Sequence, residues 1–447
     1  MFCTWYKIRK TAGRIYDMGK IDSSWLTWEK KMKVQKKDRE ILRELARKYM
    51  EICSDTVYNE HRKLWTDKNS LQRTRPLILV SFGMHNVWCR DVFGDHTLSC
   101  EHDLLRAYER QFKMFLFHHE IGDDWIAEPF LTVRAVFTQD SWDGLWGHPV
   151  SFIKSSQDGG AGRYQTALKD WSMMNMLRAP QHKIDEEKTQ ERFNLLNDTI
   201  GDIIPVAVDR GPLCLGFAMD ISTHLGRLRG HQQLMLDMYD APEHLHKLLS
   251  FMRDGILAEQ KQAEDVGDIT LVNHVNQAMP YCRELEPPAI NSGPRKRKHI
   301  WGYSAAQEYT LISPAMHQEF LLQYQKPILE NFGLVAYGCC ENLTEKIDML
   351  RQIRNLRIIA VTPSANVHRC AEQIKTDYVL SWRPNPADMV CYGFDETRIK
   401  NIVSDAMNSL KHCHTIIVLK DIETVQNEPQ RLKKWVELVR DITEKYQ

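Results

Sequence analysis

Four apolar segments late in the chain, 334-LVAYG-338, 357-RIIAVT-362, 377-DYVLSW-382 and 415-TIIVLK-420, are separated by stretches of helix length. The intervening 343-LTEKIDMLRQI-353, 366-NVHRCAEQI-374 and 396-ETRIKNIVSDAMNSL-410 carry helical patterning. Near-continuous apolar strands alternating with helices read as a parallel sheet covered on both faces. Earlier, 75-RPLILVSF-82 reads as a buried strand and 268-DITLVNH-274 as another. Helices are expected over 103-DLLRAYERQFKMFLFH-118, from Pro242 to Gly267, and over 314–332, where Pro327 should kink or divide the last one.

The expected fold is therefore α/β, a closed (β/α)8 barrel over residues 75–447. Such barrels run from about 200 to more than 400 residues. Residues 1–74 are charged and read as an N-terminal helical extension, with Ile41, Leu42, Leu45, Tyr49 and Met50 at helical spacing. A doubly wound open sheet is the alternative, but no G-x-G-x-x-G follows a strand.

Lys+Arg and Asp+Glu are equal at 59 each, which argues against bulk capture of nucleic acid or of an anionic membrane. No run of apolar residues is long enough to span a bilayer, and the N-terminus does not read as a signal peptide. The 11 cysteines are scattered without a C-x-x-C pair, so a reducing cytoplasm is expected. The oligomeric state stays open.

In a barrel, chemistry gathers at the C-terminal ends of the strands. Reading those ends gives His274, then Tyr337, Cys339, Cys340 and Glu341, then Trp382, Arg383 and Asn385, and finally Lys420, Asp421 and Glu423. Thiolate, imidazole and carboxylate at one mouth suit Zn2+, with Cys339, Glu341 and Glu423 as candidate ligands. Tyr337, His274 and Asp421 are candidates for acid/base work. Trp142 and Trp146, in 141-SWDGLWGHP-149, and Trp382, Arg383 and Asn385 are candidates for lining a substrate pocket. Plainer readings stand beside each. A cysteine is often a small buried apolar group. His274 reads equally as a hydrogen-bonded core residue. Glu341 suits a helix start, and Asp421 or Glu423 suits an ion pair with Lys420 or Arg383. The basic run Arg295–His299 lies in a long Pro/Gly-rich loop that reads as solvated, or as a contact for an acidic partner or an anionic substrate.

Several stretches in order resemble the uroporphyrinogen decarboxylase superfamily: 211-GPLCLGF-217, 230-GHQQLMLDMYDAPEHLHKLL-249, 312-ISPAMHQEFLLQYQKPILENFG-333 and 382-WRPNPADMV-390. The resemblance implies a (β/α)8 barrel. The arginine-rich loop of true decarboxylases is absent, since 79-LVSFGMHNVWCRDV-92 holds only Arg90. The sequence is closer to the branch of zinc methyltransferases that work with corrinoid proteins. In that branch a His-x-Cys follows the strand matching 334–338, and here Tyr337-Gly338-Cys339 keeps the cysteine and loses the histidine. What the resemblance implies is a methyltransferase of one-carbon metabolism. Zn2+ would sit at Cys339 with carboxylates, and the corrinoid would be supplied by a separate protein. The methylated substrate would be a methoxy-aromatic, a methylamine or a thiol. A metal-free decarboxylase-like enzyme and a catalytically silent binding barrel are the alternatives.

Overall fold

The computed structural model describes residues 34–82, 89–139, 144–148, 151–153 and 163–446. Ten strands are present among them: β1 Leu77–Val80, β2 Leu131–Arg134, β3 Ser151–Ile153, β4 Arg163–Gln165, β5 Val206–Asp209, β6 Trp301–Ser304, β7 Leu334–Tyr337, β8 Leu356–Val361, β9 Val379–Trp382 and β10 His414–Leu419. Six of them form one parallel sheet in the order β1-β10-β9-β8-β7-β6. Every residue of β1, β6, β7, β9 and β10 is buried, which is what helices on one face and a packed interior on the other demand. β2 and β5 form a separate parallel pair, and β3 with β4 an antiparallel hairpin.

The return of the last strand to the first is the connectivity of a ring, and the two parallel sheets together supply eight strands. Among the described residues the hydrogen-bonded ladder nevertheless does not close. On the free edge of β1, side chains replace a neighbouring strand: Asp124 accepts from the Ile78 amide at 2.7 Å and Asp123 from the Val80 amide at 2.8 Å. The Asp124 amide returns a bond to the Ile78 carbonyl at 2.8 Å. A carboxylate can satisfy an edge amide as well as a strand does, and it ends the ladder there.

The second opening lies between β5 and β6, where 268–274 was expected as a strand. It is instead a loop with a single 3-10 turn at Leu271–Asn273. Asn273 folds back to accept from the Thr270 amide at 2.8 Å and donates to Asp209 at the end of β5 at 2.6 Å. Local side-chain bonds of this kind compete with a ladder, and here they win. The fold is thus α/β with a six-stranded parallel sheet, compatible with a barrel-like layout but open in its ladder at two places.

The helix expected over 314–332 is divided, as Pro327 suggested. Pro314–His317 passes into a wide π turn at Gln318–Leu322 and then into Gln323–Leu329, which contains the proline. The Ser313 hydroxyl caps its start on the Met316 amide at 3.3 Å. In the N-terminal region two helices, Lys36–Cys53 and Val57–Asn69, pack against the body. Tyr49 donates to the Glu128 carbonyl at 2.8 Å and Trp65 to the Asp124 carbonyl at 2.6 Å. The two arginines of the basic run are paired, Arg295 with Glu286 at 2.8 Å and Arg297 with Glu264 at 2.9 Å, while Lys296 and Lys298 are exposed. No helix among the described residues is long and apolar enough to cross a membrane.

Candidate functional site: a thiol pair at the C-terminal rim

β7 ends in Tyr337, and the chain then turns through Gly338 at φ +102°. Only glycine adopts this readily. A Cβ here would also stand 2.8 Å from Leu343 and 3.0 Å from Ala360. The turn delivers Cys339 and Cys340 to the rim. It is clamped by Glu341, which is fully buried and accepts from the Ala306 amide at 2.7 Å and from the Cys339 amide at 2.8 Å. From the next strand but one, Arg383, also buried, donates to the Cys339 carbonyl.

The last strand completes the cluster. Lys420 is buried, and its Nζ lies 3.5 Å from Cys339 Sγ, 3.6 Å from Cys340 Sγ and 2.9 Å from Asp421. The two sulfurs are 3.4 Å apart, and Cys340 Sγ is 3.8 Å from Asp421 Oδ2. Asp421 is held at φ +60°, an uncommon conformation for a residue with a side chain, and its Oδ1 meets no donor among the described residues. Cys340 is half-buried and the Asp421 side chain is 30% exposed, so the cluster reaches solvent through them.

The charges follow from this packing. Burial alone would push the Cys339 thiol up. The Cys340 hydrogen bond, the Lys420 ammonium and Arg383 together outweigh burial and bring it down to about 6. Cys340 moves the other way, because its hydrogen bond to Cys339 and its burial both favour the protonated thiol. Burial opposes the charge on Lys420, but Asp421 and the two sulfurs hold it ionised. The two thiols titrate as a pair: the first ionisation is lowered and the second raised, and Lys420 and Arg383 favour the charge on Cys339.

The remaining sequence candidates do not join it. Tyr337 points from the sheet into the helix layer, donating to Gln325 at 2.7 Å with His317 Nε2 at 3.1 Å. His274 accepts from the Trp301 amide at 3.2 Å. Trp301 opens β6, so this histidine belongs to the opposite end of the sheet from Cys339; it is misplaced because its segment is not a strand. Glu423 turns to Arg90 at 3.7 Å and is half exposed. Glu341 has both carboxylate oxygens committed to backbone amides. Trp146 is buried, with its ring packed against His224 and Phe251. Trp382 is buried in the sheet, and Asn385 caps its own turn on the Ala387 amide at 3.1 Å. Trp142 lies outside the described residues.

The expected zinc set is accordingly not assembled. Among the described residues no group of three or more His, Cys, Asp and Glu is arranged to hold a metal ion. The space against the two sulfurs and Asp421 is taken by an ammonium. Lys420 is the residue that sequence reasoning undervalued. Its one signal was its position at the end of the last strand, but beside Asp421 it read as half of an ordinary ion pair. A polar cavity of about 530 Å³ adjoins the same loop, lined by Arg90, Asp91, Asp95, His96, Thr424 and Asn427 but not by the cysteines. Asp91 braces that loop, accepting from the amides of Val425 and Asn427 at 3.0 Å each.

Fold and site together define an α/β protein with a thiol pair beside a buried lysine at the C-terminal rim of a parallel sheet. No protein-family profile and no curated protein matches the chain. In structure it is similar to a methyltransferase from Methanosarcina mazei, with 12% identity and a TM-score of 0.48, over 85% of this chain and 98% of that one. A likeness at this level assigns no activity.

Proposed function

We propose that the chain is a methyltransferase of one-carbon metabolism, moving a methyl group between a small methylated substrate and a separate corrinoid protein. Its reacting centre is the thiol pair of Cys339 and Cys340. One observation carries the reading: Lys420 Nζ lies 3.5 Å from Cys339 Sγ and Arg383 holds the Cys339 carbonyl, an arrangement that lowers the thiol's pKa at the strand end where the sequence resembles the methyltransferase branch. The described residues do not fit a zinc site, so no step is routed through a metal.

The chain's own groups suffice for a displacement. Cys339 sulfur attacks the methyl carbon in line, the carbon–heteroatom bond breaks, and the heteroatom leaves with the electron pair. The leaving atom departs on the far side of the methyl carbon and takes its proton from solvent, while Cys340 rests 3.4 Å from the attacking sulfur and hydrogen-bonds to it. Lys420 and Arg383 hold the sulfur charged until the carbon arrives. The S-methyl group then passes to a nucleophile brought by the partner. A thiolate is the least basic of the three leaving groups, which favours a methylated thiol over an ether or an amine as substrate.

The test supplies cob(I)alamin in solution as acceptor, with a methyl thioether, a methylamine and a methoxybenzene as donors, and follows formation of methylcobalamin by absorbance. The wild-type chain should methylate cobalamin from one donor class, and Cys339→Ser should not. Failure with all three donors, or an undiminished rate in the variant, would overturn the reading.

A further inference from the structure

The spacing of the two sulfurs carries more than a nucleophile needs. At 3.4 Å they are too far apart for a bond, which takes about 2.05 Å. A direct disulfide is also poorly suited to neighbouring residues. It prefers Cα atoms about 4.4–6.8 Å apart, whereas a trans peptide fixes them near 3.8 Å. A third atom bridging both sulfurs meets neither obstacle. With bonds of about 2.3 Å to sulfur, a separation of 3.4 Å gives an S–atom–S angle of about 95°. A tetrahedral centre at the same bond length wants about 109° and sulfurs about 3.75 Å apart. The pair therefore suits a pyramidal centre with a lone pair better than it suits zinc.

The number of donors makes the same choice. Zinc needs about four ligands, and the described residues present no set of even three. A trivalent arsenic that already bears one carbon needs only two sulfurs from the protein. We propose that Cys339 and Cys340 form a chelating site for singly substituted trivalent arsenicals, R–As(OH)2. The step balances without an oxidant. Two As–O bonds break and two As–S bonds form. The two thiol protons, one of them already released by Cys339, leave with the hydroxides as two waters, and arsenic stays trivalent. Lys420 Nζ, which lies 3.5 and 3.6 Å from the two sulfurs, swings off their shared face as arsenic enters and follows the Asp421 carboxylate toward solvent. Access runs through half-buried Cys340 and the exposed part of Asp421. The site stands on the sulfur geometry alone and is independent of the methyl-transfer reading.

The experiment titrates reduced full-length protein with phenylarsine oxide and reads binding by intact mass. It then maps iodoacetamide protection by digestion. One arsenical per chain is expected, and Cys339 and Cys340 should become protected together. The adduct should survive excess monothiol and be removed by dimercaptopropanol. Cys339→Ser and Cys340→Ser should each weaken binding about 100-fold or more, as loss of a chelate does. Cys370→Ser should leave it unchanged. Protection in the wild-type chain needs no variant to fold. If it falls on another cysteine pair, or if both rim thiols alkylate at their original rate, the proposal is overturned. No methyl donor or cobalamin is present, so failure here leaves the methyl-transfer test intact.

Discussion

Two neighbouring residues of one strand end, Tyr337 and Cys339, enter opposite kinds of environment. Tyr337 faces the helix layer, where its hydroxyl, Gln325 and His317 are joined by hydrogen bonds. Gln325 continues to Ser304 at 3.1 Å and to the Ala305 carbonyl at 2.8 Å. Beyond it, buried Asp220 is pushed up toward its neutral form by burial and by Glu308, and Ser222 bridges the two acids. That network minimises charge. Two residues on, past one glycine, the rim concentrates charge instead: a thiolate, an ammonium and a carboxylate, with Asp421 in a strained conformation and one of its oxygens without a donor. A network of neutral groups joined by hydrogen bonds inside the helix layer reads as scaffold. One that crowds a thiol pair, an ammonium and a carboxylate together at one edge, with solvent reaching it through Cys340 and Asp421, is a candidate for chemistry. The pairing of strands puts both within one turn of chain, so position at a strand end does not by itself identify a site.

The contrast can be broken from either side. The largest effect should come from Cys339→Ser, which removes the nucleophile. Methyl transfer should fall at least about 100-fold, with a melting temperature close to wild type because the swap is nearly isosteric. Lys420→Met should come next, and its sign is fixed. Without the ammonium Cys339 loses a charge that lowers its pKa, so its ionisation moves to higher pH, and alkylation at neutral pH should slow while alkylation at alkaline pH recovers. Lys420→Arg should keep most of the reactivity. Gly338→Ala should cost about 1–3 kcal/mol in a denaturant titration, since a side chain at φ +102° is strained and meets Leu343 and Ala360.

Tyr337→Phe should act on the scaffold alone. It leaves Gln325 and His317 short of a buried partner and should cost about 1–3 kcal/mol of stability, with the Cys339 alkylation profile unmoved. The smallest effect on transfer should come from His274→Ala, because this residue serves the opposite end of the sheet. A loss of activity there, without a loss of stability, would undo the division drawn between the two regions.

What the sequence revealed follows the same physics. β7 to β10 were legible because strands buried on both faces must be continuously apolar. β2, β5 and β6 were not. Leu131–Arg134 and Val206–Asp209 end in charged residues, and Trp301–Ser304 contains a glycine inside what read as a long loop. The 268–274 segment failed in the other direction. Its β-branched residues suggested a strand, and the side chain of Asn273 decided for a turn. At the site, the sulfurs were legible from their place after an apolar run. Glu341 was legible only as a choice between ligand and helix cap, and it is neither in this packing: its two amide bonds tie the Cys339 turn to the chain after β6. Lys420 was hidden because its partners are about 80 residues away in sequence and only folding brings them together.

The most direct measurement is the pH dependence of Cys339 alkylation by iodoacetamide, read at that residue by mass spectrometry in the wild-type chain and in Lys420→Met. The wild-type rate should rise through a midpoint near 6, and the variant's midpoint should lie clearly higher. A wild-type midpoint at the ordinary thiol value near 8.5, or one that does not move when the ammonium is removed, would contradict the account.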